Sequence, residues 1–141
     1  MRKVVTTMLA TLFIVACGED PKNSAIVDIP LIAGKTQEKV AAVLGQPAAC
    51  ENVKQGKKCS YQPGKTDIVF IAGKADWITV NALDDVPYSK NALPFLGLEA
   101  STPSFANKFV MRWDGVSDLI EVSIFPSEGQ VSYAYIKTAT Q

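Results

Sequence analysis

Histidine is absent from the 141 residues of this chain. Its absence removes the commonest general base, the histidine-dependent catalytic triads and most zinc sites. A net charge of either sign is missing too: 14 basic and 14 acidic residues cancel, which gives no electrostatic reason to expect nucleic acid or a strongly charged ligand. Serines such as Ser89 and Ser101 have no histidine to activate them. Asp84-Asp85 falls short of the ligands of a calcium loop, and Gly34-Lys35-Thr36 lacks the glycine-rich frame of a phosphate-binding loop. We therefore expect no catalytic residue, no metal and no cofactor, and read the chain as a non-enzyme.

What is present begins with an export-type leader. Arg2 and Lys3 form a positive start, Val4 to Ile14 is an apolar run too short for a stable bilayer span, and small residues follow. The junction Ile14-Val15-Ala16-Cys17 resembles the bacterial lipobox. The resemblance implies a lipoprotein signal peptide over 1–16 and a mature chain that starts at a lipidated Cys17. The other reading is an ordinary signal peptide with a chance cysteine near its end. Gly18, where enterobacterial-type sorting would read an aspartate as inner-membrane retention, points to the outer membrane. A lipid anchor attaches a chain to a bilayer without making it span one. The expected location is thus the bacterial envelope, anchored by lipid in the outer membrane and facing the periplasm.

Residues 17–25 read as a polar tether and 26–141 as a single domain. Within 26–32 an apolar run interrupted by Pro30 reads as an edge strand or an extended approach. Gly34 to Pro47 then reads as one helix. Thr36 is a candidate amino-terminal cap, Val40, Val43 and Leu44 share a face, Gly45 suits the carboxyl end and Pro47 prevents continuation. Once Cys17 is lipidated, Cys50 and Cys59 remain to pair, and an exported protein folds where disulfides persist. Lys54, Lys57 and Lys58 make the loop between them basic, either simply solvated or turned toward an acidic partner or lipid headgroup.

Strand-like runs follow at 58–62, 66–72 and 75–83, and Tyr88 to Leu96 reads as a second short helix. A shift of about 52 places lays Leu96-Gly97 over Leu44-Gly45 and Trp113 over Tyr61, suggesting half-repeats over 34–83 and 86–138. Each half reads as a helix, Leu-Gly, a loop and three strands. The expected class is α+β, short helices packed on one face of an antiparallel sheet in a possible tandem α-β-β-β repeat.

Gly34, Thr36, Val40, Leu44, Gly45 and Pro47 spell G-x-T-x-x-x-V-x-x-x-L-G-x-P. That pattern resembles the signature of the SmpA/OmlA family of small outer-membrane lipoproteins. The cysteine pair after the helix, with the tandem layout, is similar to the β-lactamase-inhibitor-protein-like fold. The resemblance implies a binding or scaffolding role in outer-membrane assembly or integrity without catalysis, with an envelope protein as partner. The alternative is a periplasmic enzyme-inhibitor-like or small-ligand-binding protein.

Strand parity nominates a working surface. If the helices cover the face of Ile78, Val80, Ile120, Val122 and Ile124, the opposite face carries Trp77, Thr79, Arg112, Glu121, Ser123, Tyr133 and Tyr135. Aromatic residues and arginine dominate interface hot spots, so Trp77, Thr79, Arg112, Tyr133 and Tyr135 are the candidate partner-binding residues. The competing reading is a second small core. Arg112 and Glu121 straddle the turn at Asp114-Gly115 at a spacing that suits cross-strand pairing.

Overall fold

In a computed structural model, which describes residues 25–140, eight strands form one antiparallel sheet. They are β1 (Ala49–Val53), β2 (Gly56–Tyr61), β3 (Thr66–Ile71), β4 (Lys74–Val80), β5 (Phe105–Ala106), β6 (Met111–Asp114), β7 (Leu119–Ser127) and β8 (Gln130–Thr138). Their spatial order is β1-β2-β3-β4-β8-β7-β6-β5. Two four-stranded meanders therefore meet at β4 and β8, and the last strand of each lies at the centre of the sheet.

Local chemistry sets the turns. Ala72-Gly73 and Glu128-Gly129 both have positive φ at the two turn residues, 51° and 78° in the first and 51° and 80° in the second. This is the primed hairpin geometry whose twist matches the flanking strands, and glycine at its second position avoids the steric cost. Gly56 opens β2 for another reason. A Cβ there would lie 2.0 Å from the carbonyl oxygen of Phe70, so a side chain would separate β2 from β3.

Alternation sorts the side chains. One row across the sheet runs Cys50, Cys59, Ile68, Ile78, Ile136, Val122 and Trp113, partner by partner. From Cys59 to Trp113 every member of the row is buried. The next row, Tyr61, Thr66, Val80, Ala134 and Ile124, is buried throughout. This is the dry face. Its cover comes from α1 (Ile29–Ile32), α2 (Gln37–Leu44) and the connection between the meanders, which contribute Ile29, Ile32, Val40, Leu83, Val86, Leu93, Leu96 and Leu98.

The α+β expectation is corrected by this arrangement. Among the described residues the chain is predominantly an eight-stranded antiparallel sheet, the two α-helices are short, and irregular chain supplies much of the cover. Tyr88 to Leu96 forms only a tight 3-10 turn at Leu93–Leu96, with Pro94 in its first turn. A proline there removes a backbone donor and keeps a longer helix from running through it. Each meander has four strands where three were expected. The hairpin hidden in the Cys50–Cys59 segment supplies β1, and exposed Phe105-Ala106 supplies β5. Pro30 sits in the first turn of α1, where its missing N–H is harmless, so 26–32 is not an edge strand.

Two side chains were assigned to the wrong side. Val43 of α2 is 42% exposed, so Val40 is the residue of that helix that enters the core. Ile120 is 50% exposed, because the β7–β8 register shifts between Leu119 and Glu121 and Leu119 takes the inward position. A bulge of this kind moves one residue across the sheet without disturbing the rest.

Candidate functional site

The second face of the sheet carries no layer of helix or connecting chain among the described residues. One row on it reads Lys58, Val69, Trp77, Lys137, Glu121 and Asp114, and the next Ser60, Asp67, Thr79, Tyr135, Ser123, Arg112 and Phe105. Trp77, Thr79, Arg112, Tyr133 and Tyr135 all lie on this face. Thr79 is opposite Tyr135, Trp77 is opposite Lys137, and Arg112 stands one strand beyond Ser123. Tyr133 is two residues from Tyr135 on β8 and stacks on Phe125, ring centroids 4.5 Å apart and planes 14° from parallel. The five residues share a surface in two groups, a central one on β4 and β8 and a lateral one around Arg112.

The expected cross-strand pair of Arg112 with Glu121 does not form. Glu121 is opposite Asp114, and its Oε1 accepts a hydrogen bond from Ser123 Oγ at 2.5 Å. Arg112 Nε instead lies 3.4 Å from Asp114 Oδ1, two residues along its own strand, and its guanidinium stands 5.7 Å from the Phe105 ring centroid. The loop Gly115 to Asp118 makes the β6–β7 connection longer than a two-residue hairpin, and this sets the register.

A buried ion pair underlies the central group. Asp76 is fully buried, and its carboxylate accepts hydrogen bonds from Lys137 Nζ and Thr140 Oγ1. Lys137 Nζ also donates to the Thr138 carbonyl at 3.1 Å and stands 5.9 Å from the Trp77 ring centroid. One ammonium thus neutralises a buried carboxylate and lies beside an aromatic ring of the open face. The Tyr135 hydroxyl titrates above the ordinary tyrosine range, because of burial first and then the carboxylates of Glu121 and Asp76. It stays a neutral hydrogen-bonding group at every physiological pH.

Reasoning from sequence missed Asp76, Lys137, Phe105 and Phe125. Asp76 had a signal: a carboxylate beside apolar residues in a strand needs a cation. Phe125 had one too, since the parity that nominated Glu121 and Ser123 continues to it. Nothing in the sequence joined Lys137 to Asp76, which are brought together only by the β4–β8 pairing.

The cysteines form the Cys50–Cys59 disulfide, on facing positions of β1 and β2 with Cα atoms 4.1 Å apart. Such a bond marks a protein that folds in an oxidising compartment. Cys17, with the leader and nearly all of the tether, lies outside the described residues. Among the described residues no helix is long and apolar enough to cross a membrane, and no group of three metal-binding side chains comes together. A half-open cavity of about 310 Å³ lies at one end of the sheet, with Lys35, Ser117 and Asp118 on its wall. It is not the closed apolar pocket that a carrier of apolar ligands needs.

Among solved structures, the chain is similar to an extracellular protein containing an SCP domain from Bacillus anthracis str. Ames, with a TM-score of 0.51 and 12% identity. The likeness covers 97% of this chain and 51% of that one, so the chain spans about half the length of that protein. At this identity it shows the fold alone. No family model and no curated protein matches the sequence.

Proposed function

We propose that this chain is a lipid-anchored bacterial envelope protein, of the SmpA/OmlA-like kind, that binds another envelope protein through the open face of its sheet and catalyses nothing. The observation that carries the reading is the gathering of Trp77, Tyr133, Tyr135, Phe125, Phe105 and Arg112 on the face that no other element covers among the described residues. These residue types supply rigid contact area with polar tips and lose little side-chain entropy on binding. The alternating carboxylates, lysines and hydroxyls between them suit a protein surface of mixed charge more than an acyl chain. Location is supported by the lipobox-like Ile14-Val15-Ala16-Cys17 and by the disulfide. The similar extracellular protein is in keeping with an exported chain.

Two variants test the surface. Trp77→Ala and Tyr133→Ala are expected to weaken capture of an envelope partner at least tenfold each, with the thermal midpoint within a few degrees of the parent. Aggregation of both would make these residues core and sink the reading. Cys17→Ser is expected to release the protein from the membrane fraction; retention would remove the anchor.

A further inference from the structure

The half-open cavity of about 310 Å³ lies where the cover of the dry face meets the β6–β7 loop and the end of β8. Three segments bound it, and each is fixed by its own hydrogen bonds. The chain leaving α1 is tied to β4: the Gly34 N–H donates to the Ala75 carbonyl and the Ala75 N–H to the Lys35 carbonyl, both at 2.8 Å. The β6–β7 loop is closed by the Gly115 N–H on the Ile120 carbonyl at 3.1 Å. At the end of β8, Thr138 Oγ1 donates to the Ala75 carbonyl at 2.9 Å. The cavity therefore has its shape without a ligand.

Its lining divides by chemistry. Buried Leu98 and Leu119, with Ala33 beside them, supply a carbon floor, while exposed Lys35, Ser117 and Asp118 bring an ammonium, a hydroxyl and a carboxylate to the mouth. No ion pair joins Lys35 to Asp118 among the described residues, so each charge is left for another group. The loop that carries two of the three is also strained. Ser117 (φ 50°, ψ 42°) and Asp118 (φ 63°) are both left-handed, a conformation that side chains other than glycine's resist. Backbone of this kind gathers at ligand clamps, where the surrounding structure holds it in place.

We propose that this cavity binds a free α-amino acid with an apolar side chain. Its carboxylate sits by Lys35 and Ser117, its ammonium by Asp118, and its side chain over Leu98 and Leu119. An amino acid carries both charges on one carbon and is neutral overall, which matches a mouth with one charge of each sign. A peptide end brings a single charge and leaves the other without a partner; a wholly apolar ligand leaves both. The volume falls at the small end of the roughly 300–1,000 Å³ of small-molecule sites, which suits one residue. Trp77, Tyr135 and Arg112 do not line the cavity, so the inference goes beyond the protein-binding reading and does not depend on it.

The test is titration calorimetry on the full chain purified in detergent, with four probes. They are L-leucine, N-acetyl-L-leucine, which lacks the ammonium, L-leucinamide, which lacks the carboxylate, and glycine, which lacks the side chain. Saturable binding of L-leucine is expected, with each of the others weaker by about tenfold or more, the loss that follows from a missing charged hydrogen bond or a missing apolar group. In Lys35→Gln the preference for leucine over leucinamide should vanish while that over N-acetyl-leucine persists. In Asp118→Asn the reverse is expected, and asparagine tolerates the left-handed backbone at that position. No saturable binding of L-leucine, or equal affinity for the four probes, would overturn the inference. A preference for leucine over leucinamide that survives in Lys35→Gln would do the same.

Discussion

The two faces of this sheet are built from the same strands by the same alternation and have opposite fates. On one, Ile68, Ile78, Ile136, Val122 and Trp113 stand in a continuous row under α1, α2 and the connection between the meanders. On the other, Trp77, Tyr135 and Arg112 alternate with Lys137, Ser123 and Glu121 and nothing lies over them among the described residues. The difference is not apolar content alone. The dry face uses branched aliphatic residues that fill volume and need no partner, whereas the open face uses aromatics with polar tips and charged residues, of which Arg112 and Lys137 already have carboxylate partners. Folding energy is concentrated on the first, which leaves the second able to vary its contacts without unfolding the domain.

That contrast can be broken at graded cost. Ile136→Ala, at the centre of the dry row, should destabilise the domain by about 4 kcal/mol through lost burial and a cavity. Thr79→Ala, beside it on the open face, should cost less than about 0.5 kcal/mol. Urea unfolding of the two variants compares the faces directly, and equal costs would abolish the distinction. Lys137→Met tests the point where the faces communicate. It leaves the Asp76 carboxylate buried without its cation and should cost about 3 kcal/mol, with part of the loss recovered in the double variant carrying Asp76→Asn. No recovery would mean that Lys137 acts by packing alone.

The disulfide fastens β1, the edge strand of the first meander. Replacing Cys50 and Cys59 together with alanine should lower stability by about 2.7 kcal/mol on chain-entropy grounds for a loop of about ten residues. Most of the loss should appear as faster amide exchange in β1 and β2, and uniform exchange across both faces would argue against a local clamp. The smallest effect concerns Tyr135. Its folded-state pKa is raised, so the neutral phenol contributes stability that is complete below the unfolded value near pH 10 and is lost as pH rises through the folded value. Tyr135→Phe should therefore flatten the alkaline loss of stability above about pH 10 while leaving neutral stability within about 1 kcal/mol. An unchanged alkaline limb would assign that loss to other tyrosines, among them Tyr61 and Tyr88, whose pKa values burial also raises.

Much of the face assignment was legible from residues alone, because a strand's side-chain period of two needs no tertiary information. The run Trp77 to Val80 shows it: two inward aliphatics, two outward residues, all as parity requires. Parity failed at Ile120, where a bulge inserted one residue, and bulges answer to the partner strand. The covering layer was less legible. Gly34 to Pro47 carries clear start and stop residues and does contain α2, yet Thr36 makes no side-chain cap to the helix backbone and the helix buries Val40 alone. In Tyr88 to Leu96 the apolar spacing suggested a helix, but that spacing serves equally well a chain that drops Leu93 and Leu96 into the core from a single tight turn.

By itself the sequence determined six of the eight strand runs, most of their inward and outward sides and the turns between them, and it set two cysteines close enough along the chain to pair. Each of these is set by neighbours a few residues away, through alternation, positive-φ turn residues or a short loop. Only the tertiary structure decided that the meanders meet at β4 and β8, that Lys137 reaches Asp76, and that one face is covered by short helices and irregular chain. Those outcomes depend on contacts between residues up to 61 positions apart. No local pattern encodes such contacts, because their energy exists only once the whole sheet has closed.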